Sequence, residues 1–156
     1  MNTSNNFQIR PLSPEVADLA RKTRVDRFGN ALTVLRDGKP HQCRVCLTMS
    51  HPNEGVILLA HRPFESNQPY AETGPIFVHE RPCQPYNDSF TYPPEFPRSA
   101  VVLRAYSNED RIVGAEAVGE RVVETVIEEI LANPAVEYIH ARNLGYGCFM
   151  FRINRN

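Results

Sequence analysis

Short apolar segments recur along this 156-residue chain, and 13 prolines and 8 glycines keep cutting them off. Apolar runs that stop after five or six residues suit strands better than helices, so this punctuation restricts the chain to folds built of many short strands. Phe7-Gln8-Ile9-Arg10 alternates apolar with polar, and residues 31–35, 56–61, 75–79, 100–106, 111–118, 135–141 and 147–153 read as further strands. Leu47 and residues 56–60 are expected to form a hairpin around the polar loop 50–55. One stretch breaks the rule. In residues 120–132, Val122, Val123, Val126, Ile127, Ile130 and Leu131 fall at helical spacing while Glu124, Glu128 and Glu129 face away, and Asn133-Pro134 ends the run. Ser13-Pro14 starts a short amino-terminal helix with Val16, Leu19 and Ala20 on one face. The fold class expected is α+β: a largely antiparallel sheet, a short N-terminal helix and a longer helix near 120–132. A single domain spanning 1–156 is expected, with residues 1–6 disordered. Residues 82–97 hold five prolines with Tyr86, Phe90, Tyr92 and Phe96 among them, which predicts an ordered loop laying its aromatics over a neighbouring surface.

Charge narrows the function classes. A net charge of −1 lacks the basic excess of a general nucleic-acid or anionic-membrane binder, so neither partner is expected. The basic residues are 15 Arg against 2 Lys, and the planar guanidinium fork suits carboxylate or phosphate, so a small anionic ligand is one reading and compositional bias the other. The longest aliphatic run, residues 56–60, falls far short of the roughly 20 residues that span a bilayer. Residues 1–8 show no basic-plus-apolar leader pattern. The expected location is the cytoplasm, where thiols stay reduced, so four cysteines point to metal, catalysis or packing before a disulfide framework.

Those cysteines carry the candidate chemistry. Cys43-Arg44-Val45-Cys46 is a close pair, and His79 precedes Cys83 by four residues. Residues three apart on an extended strand point to opposite faces, so Cys43 and Cys46 converge only if the chain turns. No glycine follows Cys46, which weighs against a zinc knuckle, and no amphipathic helix follows it, which weighs against a redox motif. Three readings stay open: a metal site, a redox or nucleophilic pair, and buried thiols. Zinc, the candidate cofactor, would be held by Cys43, Cys46 and Cys83 with His79 or Cys148 as fourth ligand.

A second cluster closes the chain. His140 and Arg142 share one face of a strand, and Cys148 lies on the next strand, beyond glycines flanking Tyr146. A hairpin there would set His140 beside Cys148 as base beside nucleophile, with Asn143 orienting the imidazole; ligand binding and plain packing are the alternatives. Arg104, inside the apolar run Val101-Val102-Leu103-Arg104-Ala105-Tyr106, needs a partner. Glu80 or Glu137 is the ordinary choice, and an anionic ligand held by Arg104 and Arg142 the sharper one.

Taken in order, HQCRVCL, VILLAHRPF, PYAETGPIFVHE with Cys83 after it, LRAY and HARNLGYGCFMFRINR resemble a bacterial family catalogued as domain of unknown function 1203. The resemblance runs from about Gly38 to Arg155 and departs at His61 and Leu144, where an aromatic and an alanine are expected. It implies that Cys43, Cys46, Cys83, His79, His140, Asn143 and Cys148 are the positions to watch. It supplies no activity, substrate or cofactor.

Overall fold

The structure is a computed structural model and describes residues 5–156. Among these residues the chain forms β1 (Phe7–Arg10), α1 (Pro14–Thr23), β2 (Thr33–Leu35), β3 (Val56–His61), β4 (Gly74–His79), β5 (Val101–Tyr106), β6 (Ile112–Ala117), α2 (Val123–Leu131), β7 (Tyr138–Asn143) and β8 (Phe149–Arg155). The expected α+β class holds, with every strand pair antiparallel. The strands make two sheets, a five-stranded one in the order β1-β8-β7-β5-β6 and a three-stranded one in the order β2-β3-β4. Of the segment 1–6 expected to be disordered, residues 1–4 lie outside the described residues. Asn5 donates to the Phe90 carbonyl, and Asn6 accepts from the Asn156 amide.

The large sheet buries one face under α2. Period-2 alternation puts Leu103, Ala105, Ile139, Ala141, Phe151 and Ile153 there, against Val123, Val126, Ile127 and Leu131 of the helix. At about 25 cal/mol per Å² of apolar area, each of these side chains other than the two alanines contributes about 1.5–3 kcal/mol. The helix begins at Val123 rather than 120, and Val122, assigned to the stripe, is 62% exposed because it is the cap residue outside the first turn. The proline-rich segment keeps to the expectation in part: Tyr86 packs on this core half-buried, whereas Phe90 is 40% exposed. Tyr92 and Phe96 are buried in this core, both ring-packed on Phe151, and the Tyr92 hydroxyl donates to the Pro97 carbonyl at 2.6 Å.

The small sheet makes a second core with α1, where Ile57, Leu59, Ile76 and Val78 meet Ala17, Ala20 and Leu12. Pro14 opens the helix as the sequence suggests, yet the Ser13 hydroxyl turns to the Glu15 carboxylate and caps no amide. Leu19 was assigned to the buried face and is 56% exposed; Ala17 takes that place, since a small side chain lets the helix approach the sheet closely. The expected hairpin from Leu47 into residues 56–60 is corrected. β3 pairs with β2 and β4, whereas residues 42–49 fold back on themselves through a Gln42–Met49 bridge. Strand β7 starts at Tyr138, not 135, because the Val136 amide is spent on a turn to the Asn133 carbonyl.

The segment 42–49 joins the two sheets. Cys43 bridges Phe77 of β4 in parallel, and the Arg44 amide donates to the Phe77 carbonyl at 3.0 Å. The Arg44 side chain, 1% exposed, reaches the other way, Nε donating to the Phe149 carbonyl of β8 and Nη1 to the Gln42 carbonyl, both at 2.6 Å. Beside it Gln42 and Asn143 exchange amide hydrogen bonds of 3.0 and 2.9 Å.

Candidate metal centre

Within that joining segment the chain turns tightly. The Cys43 amide donates to the Thr48 carbonyl and the Leu47 amide to the Cys43 carbonyl, each at 3.0 Å, so both cysteines of the pair face one side. The turn needs a left-handed residue directly after Cys46, and Leu47 supplies it at φ 55°. A left-handed leucine costs about 1–2 kcal/mol. Burial of its side chain, 1% exposed in the large core, offsets that cost. A glycine was thus not required for the knuckle, because a core contact holds a leucine in the same conformation.

β4 delivers His79 at its last residue, and the turn after it brings Cys83 back over the knuckle. One donor atom from each of Cys43, Cys46, His79 and Cys83 lies within 4.8 Å of all the others. The Cys43 and Cys83 Sγ atoms are 3.7 Å apart, and Cys46 Sγ is 3.4 Å from His79 Nδ1. Ligands about 2.3 Å from one zinc ion stand about 3.8 Å apart at tetrahedral angles, so these separations are those of a common coordination sphere.

The surroundings orient the donors. The His79 amide donates to Cys43 Sγ at 3.4 Å, and Thr48 Oγ1 sits 3.1 Å from Cys46 Sγ. On the far side of the imidazole, His79 Nε2 is 3.4 Å from Glu54 Oε2, a charge contact without the alignment of a closed hydrogen bond. A carboxylate behind a ligating histidine fixes the ring and raises its basicity. Hydrogen bonds from Cys46 and then Cys83 push the Cys43 thiol far below its ordinary range, against the effect of burial. The same contacts, with Cys43 first, push Cys83 up. Hydrogen bonds to Cys43 and then Cys46 push the His79 imidazole up to about 10, against the effect of burial. A divalent cation bound among these donors would displace their protons. It opens onto a surface cleft of about 800 Å³ whose rim carries the Arg36–Glu80 ion pair.

Cys148, the other candidate for the fourth ligand, stands apart. Its carbonyl accepts from the Asn143 amide, and its side chain lines a small cleft with His61, Arg142 and Phe149. Nor does it meet His140. The register sets His140 opposite Arg152, and a bulge at Ala141/Arg142 carries Cys148 along to Asn143. His140 is fully buried among Phe64, Tyr106, Tyr138 and Phe149, with ring centroids 4.8–5.1 Å away and neither nitrogen hydrogen-bonded. Burial, and then the charges of Arg142 and Arg152, push it down to about 2, so it is a poor base. Asn143 spends its side chain on Gln42. Arg104 and Arg142 do converge, but on Glu72, at 2.5 and 2.9 Å, and not on Glu80 or Glu137. Sequence reasoning missed Glu72, Glu54, Thr48 and the role of Arg44. The one available signal was the position of Glu54 and Thr48 in the polar stretch that follows the cysteine pair.

Together these features define an α+β protein with a three-cysteine, one-histidine cluster at the join of two antiparallel sheets. The chain belongs to the family described as "Protein of unknown function (DUF1203)", whose model matches residues 40–155 and so includes every member of the cluster. No curated protein and no solved structure matches it. No helix among the described residues is long and apolar enough to cross a membrane.

Proposed function

We propose that the protein is a zinc protein whose ion is held by Cys43, Cys46, His79 and Cys83. The observation that carries this reading is the convergence of four soft or borderline donors within 4.8 Å of one another, from three separate stretches of chain. Three thiolates and an imidazole suit zinc before magnesium or calcium, which take oxygen. Four protein ligands leave no open position, so the ion is structural: it ties the knuckle to the end of β4 and to the segment entering the proline-rich loop. All four cysteines are free, and a reducing compartment such as the cytoplasm keeps them available as ligands.

Metal analysis of chain purified without a histidine tag tests this directly. The expected result is about one zinc per chain, lost in Cys46→Ser and Cys83→Ser and retained in Cys148→Ser. Chelation lowers the melting temperature, since metal binding contributes to folding. Metal-free protein that melts at the same temperature with and without added zinc would overturn the reading.

A further inference from the structure

The face of the large sheet turned away from α2 is not an apolar packing face. Arg104, His140 and Arg152 stand abreast on β5, β7 and β8, as partners in register. Tyr106 and Tyr138 form the next row, stacked at 5.1 Å. Residues that are direct partners on neighbouring strands project from the same side, so on this face two arginines flank a buried, neutral histidine beside a row of aromatic rings. The segment after β3 roofs it, with Phe64 against Tyr106 and His140. Arg104 and Arg142 at one end share the single carboxylate of Glu72.

At the other end lies a cleft of about 400 Å³, walled by Arg10, Arg27, Arg62, Arg152, His61 and His140. Among the described residues no carboxylate lies within 4.0 Å of any of these four guanidinium groups, and residues 1–4 contain no acid. Their hydrogen bonds go to neutral acceptors: Arg10 to Gln8, Arg62 to the Ser66 carbonyl and Asn67, Arg152 to Asn154. Arg152 is held flat over the Tyr138 ring at 3.7 Å. The cleft's own acids are Glu65 and Asp110, and both Asp110 oxygens are taken by Tyr138 and Ser66. Four guanidinium charges against these two carboxylates leave a surplus of two. His61 Nδ1 and both nitrogens of His140 are buried without a partner, so the wall also holds unused polar capacity. The surplus charge is felt there: after burial, Arg27 and Arg44 are what hold His61 down, to about 4.

From this geometry we propose that the cleft between Arg10, Arg27, Arg62 and Arg152 binds a small organic dianion, a phosphate monoester or a dicarboxylate. Guanidinium forks pair bidentately with either headgroup, and a dianion matches the surplus. The aromatic rings of Phe64 and Phe149 in the same wall suit an attached apolar or planar body. The site is independent of the metal centre and uses none of its ligands.

Titration calorimetry of the 156-residue chain with phenyl phosphate and with succinate tests it. Saturable binding of either one sustains the proposal and identifies the headgroup. Arg62→Gln and Arg152→Gln should each weaken it about ten-fold or more, as loss of a charged hydrogen bond does. Arg98→Gln, whose charge pairs with Glu124 outside the cleft, should leave it unchanged. No saturation by either probe up to about 10 mM, the range of very weak affinity, overturns the proposal, as does equal loss in all three variants. Should the cleft variants fail to fold, ring-proton shifts of His61 and His140 on adding the probe to the unaltered chain decide its location. Shifts confined elsewhere overturn it.

Discussion

Replacing Leu47 separates the two forces that shape the cysteine knuckle. The side chain is 1% exposed in the large core, and truncating a buried leucine costs about 2–5 kcal/mol. Leu47→Ala and Leu47→Gly both lose that packing. They differ in the backbone, which stands at φ 55°. Alanine keeps the left-handed penalty of about 1–2 kcal/mol, whereas glycine does not. Set against that is the extra chain entropy glycine loses on folding, about 0.5–1 kcal/mol. Glycine also gives up the buried Cβ that alanine keeps, about 0.8 kcal/mol, so the net expectation is that the two variants lie within about 0.5 kcal/mol of each other, whereas in regular structure alanine at a buried site is the more stable by more than about 1 kcal/mol. In a chain of this size, that places the two melting temperatures within about 2 °C of each other, with both variants well below the unaltered protein. Urea and thermal unfolding of the three proteins, with zinc added and without, measure it. An alanine variant more stable than the glycine variant by about 1 kcal/mol or more refutes the claim that a core contact holds a strained turn.

Three further outcomes are expected. Glu54→Gln should weaken zinc binding about ten-fold without abolishing it, as loss of a carboxylate behind a metal-bound histidine does; competition with a chelator of known affinity reads it. Ile127→Asp should destabilise by at least about 3 kcal/mol and the exposed Glu128→Ala by less than about 0.5 kcal/mol in urea unfolding, equal effects contradicting the buried face described for α2. His140 is neutral in the folded chain and held down to about 2, so its contribution is complete above its ordinary value of 6.5 and is lost as pH falls from there toward 2; His140→Phe should flatten the acid limb of stability between pH 6.5 and 4, by at most about 1.4 kcal/mol per pH unit, and an unchanged slope refutes this.

What could be read in advance follows from the range of the interactions involved. The stripe of α2 and the alternation of β5 and β8 are local patterns, and the structure keeps them to within a few residues at their ends. Cys43, Cys46, His79 and Cys83 were legible as a donor set because the residue types themselves carry the chemistry. The turn that unites the first two was not, since Leu47 takes a conformation that local propensity disfavours and a distant core contact enforces. The pairing of Cys148 with His140 failed on register: His140 stands opposite Arg152, four residues beyond Cys148, and a period-2 pattern says nothing of register. The partner of Arg104 came from the β3–β4 loop, where no periodicity points at all.

The buried guanidinium of Arg44 also orders events in time. Its hydrogen-bond partner at Phe149 lies 105 residues downstream, in the strand that also pairs with β1. During synthesis, at about 5–20 residues per second, the cysteine pair therefore emerges several seconds before the carbonyl its neighbour needs. Until then Arg44 has no dry place to go, and the two thiols on either side of it are carried by an unfinished turn. Long-range closures of this kind are slow steps. A zinc ion bound as proposed would then be captured late, by a nearly complete protein rather than by a nascent loop, and a chain cut short before Phe149 is expected to display the cysteine motif yet hold zinc poorly.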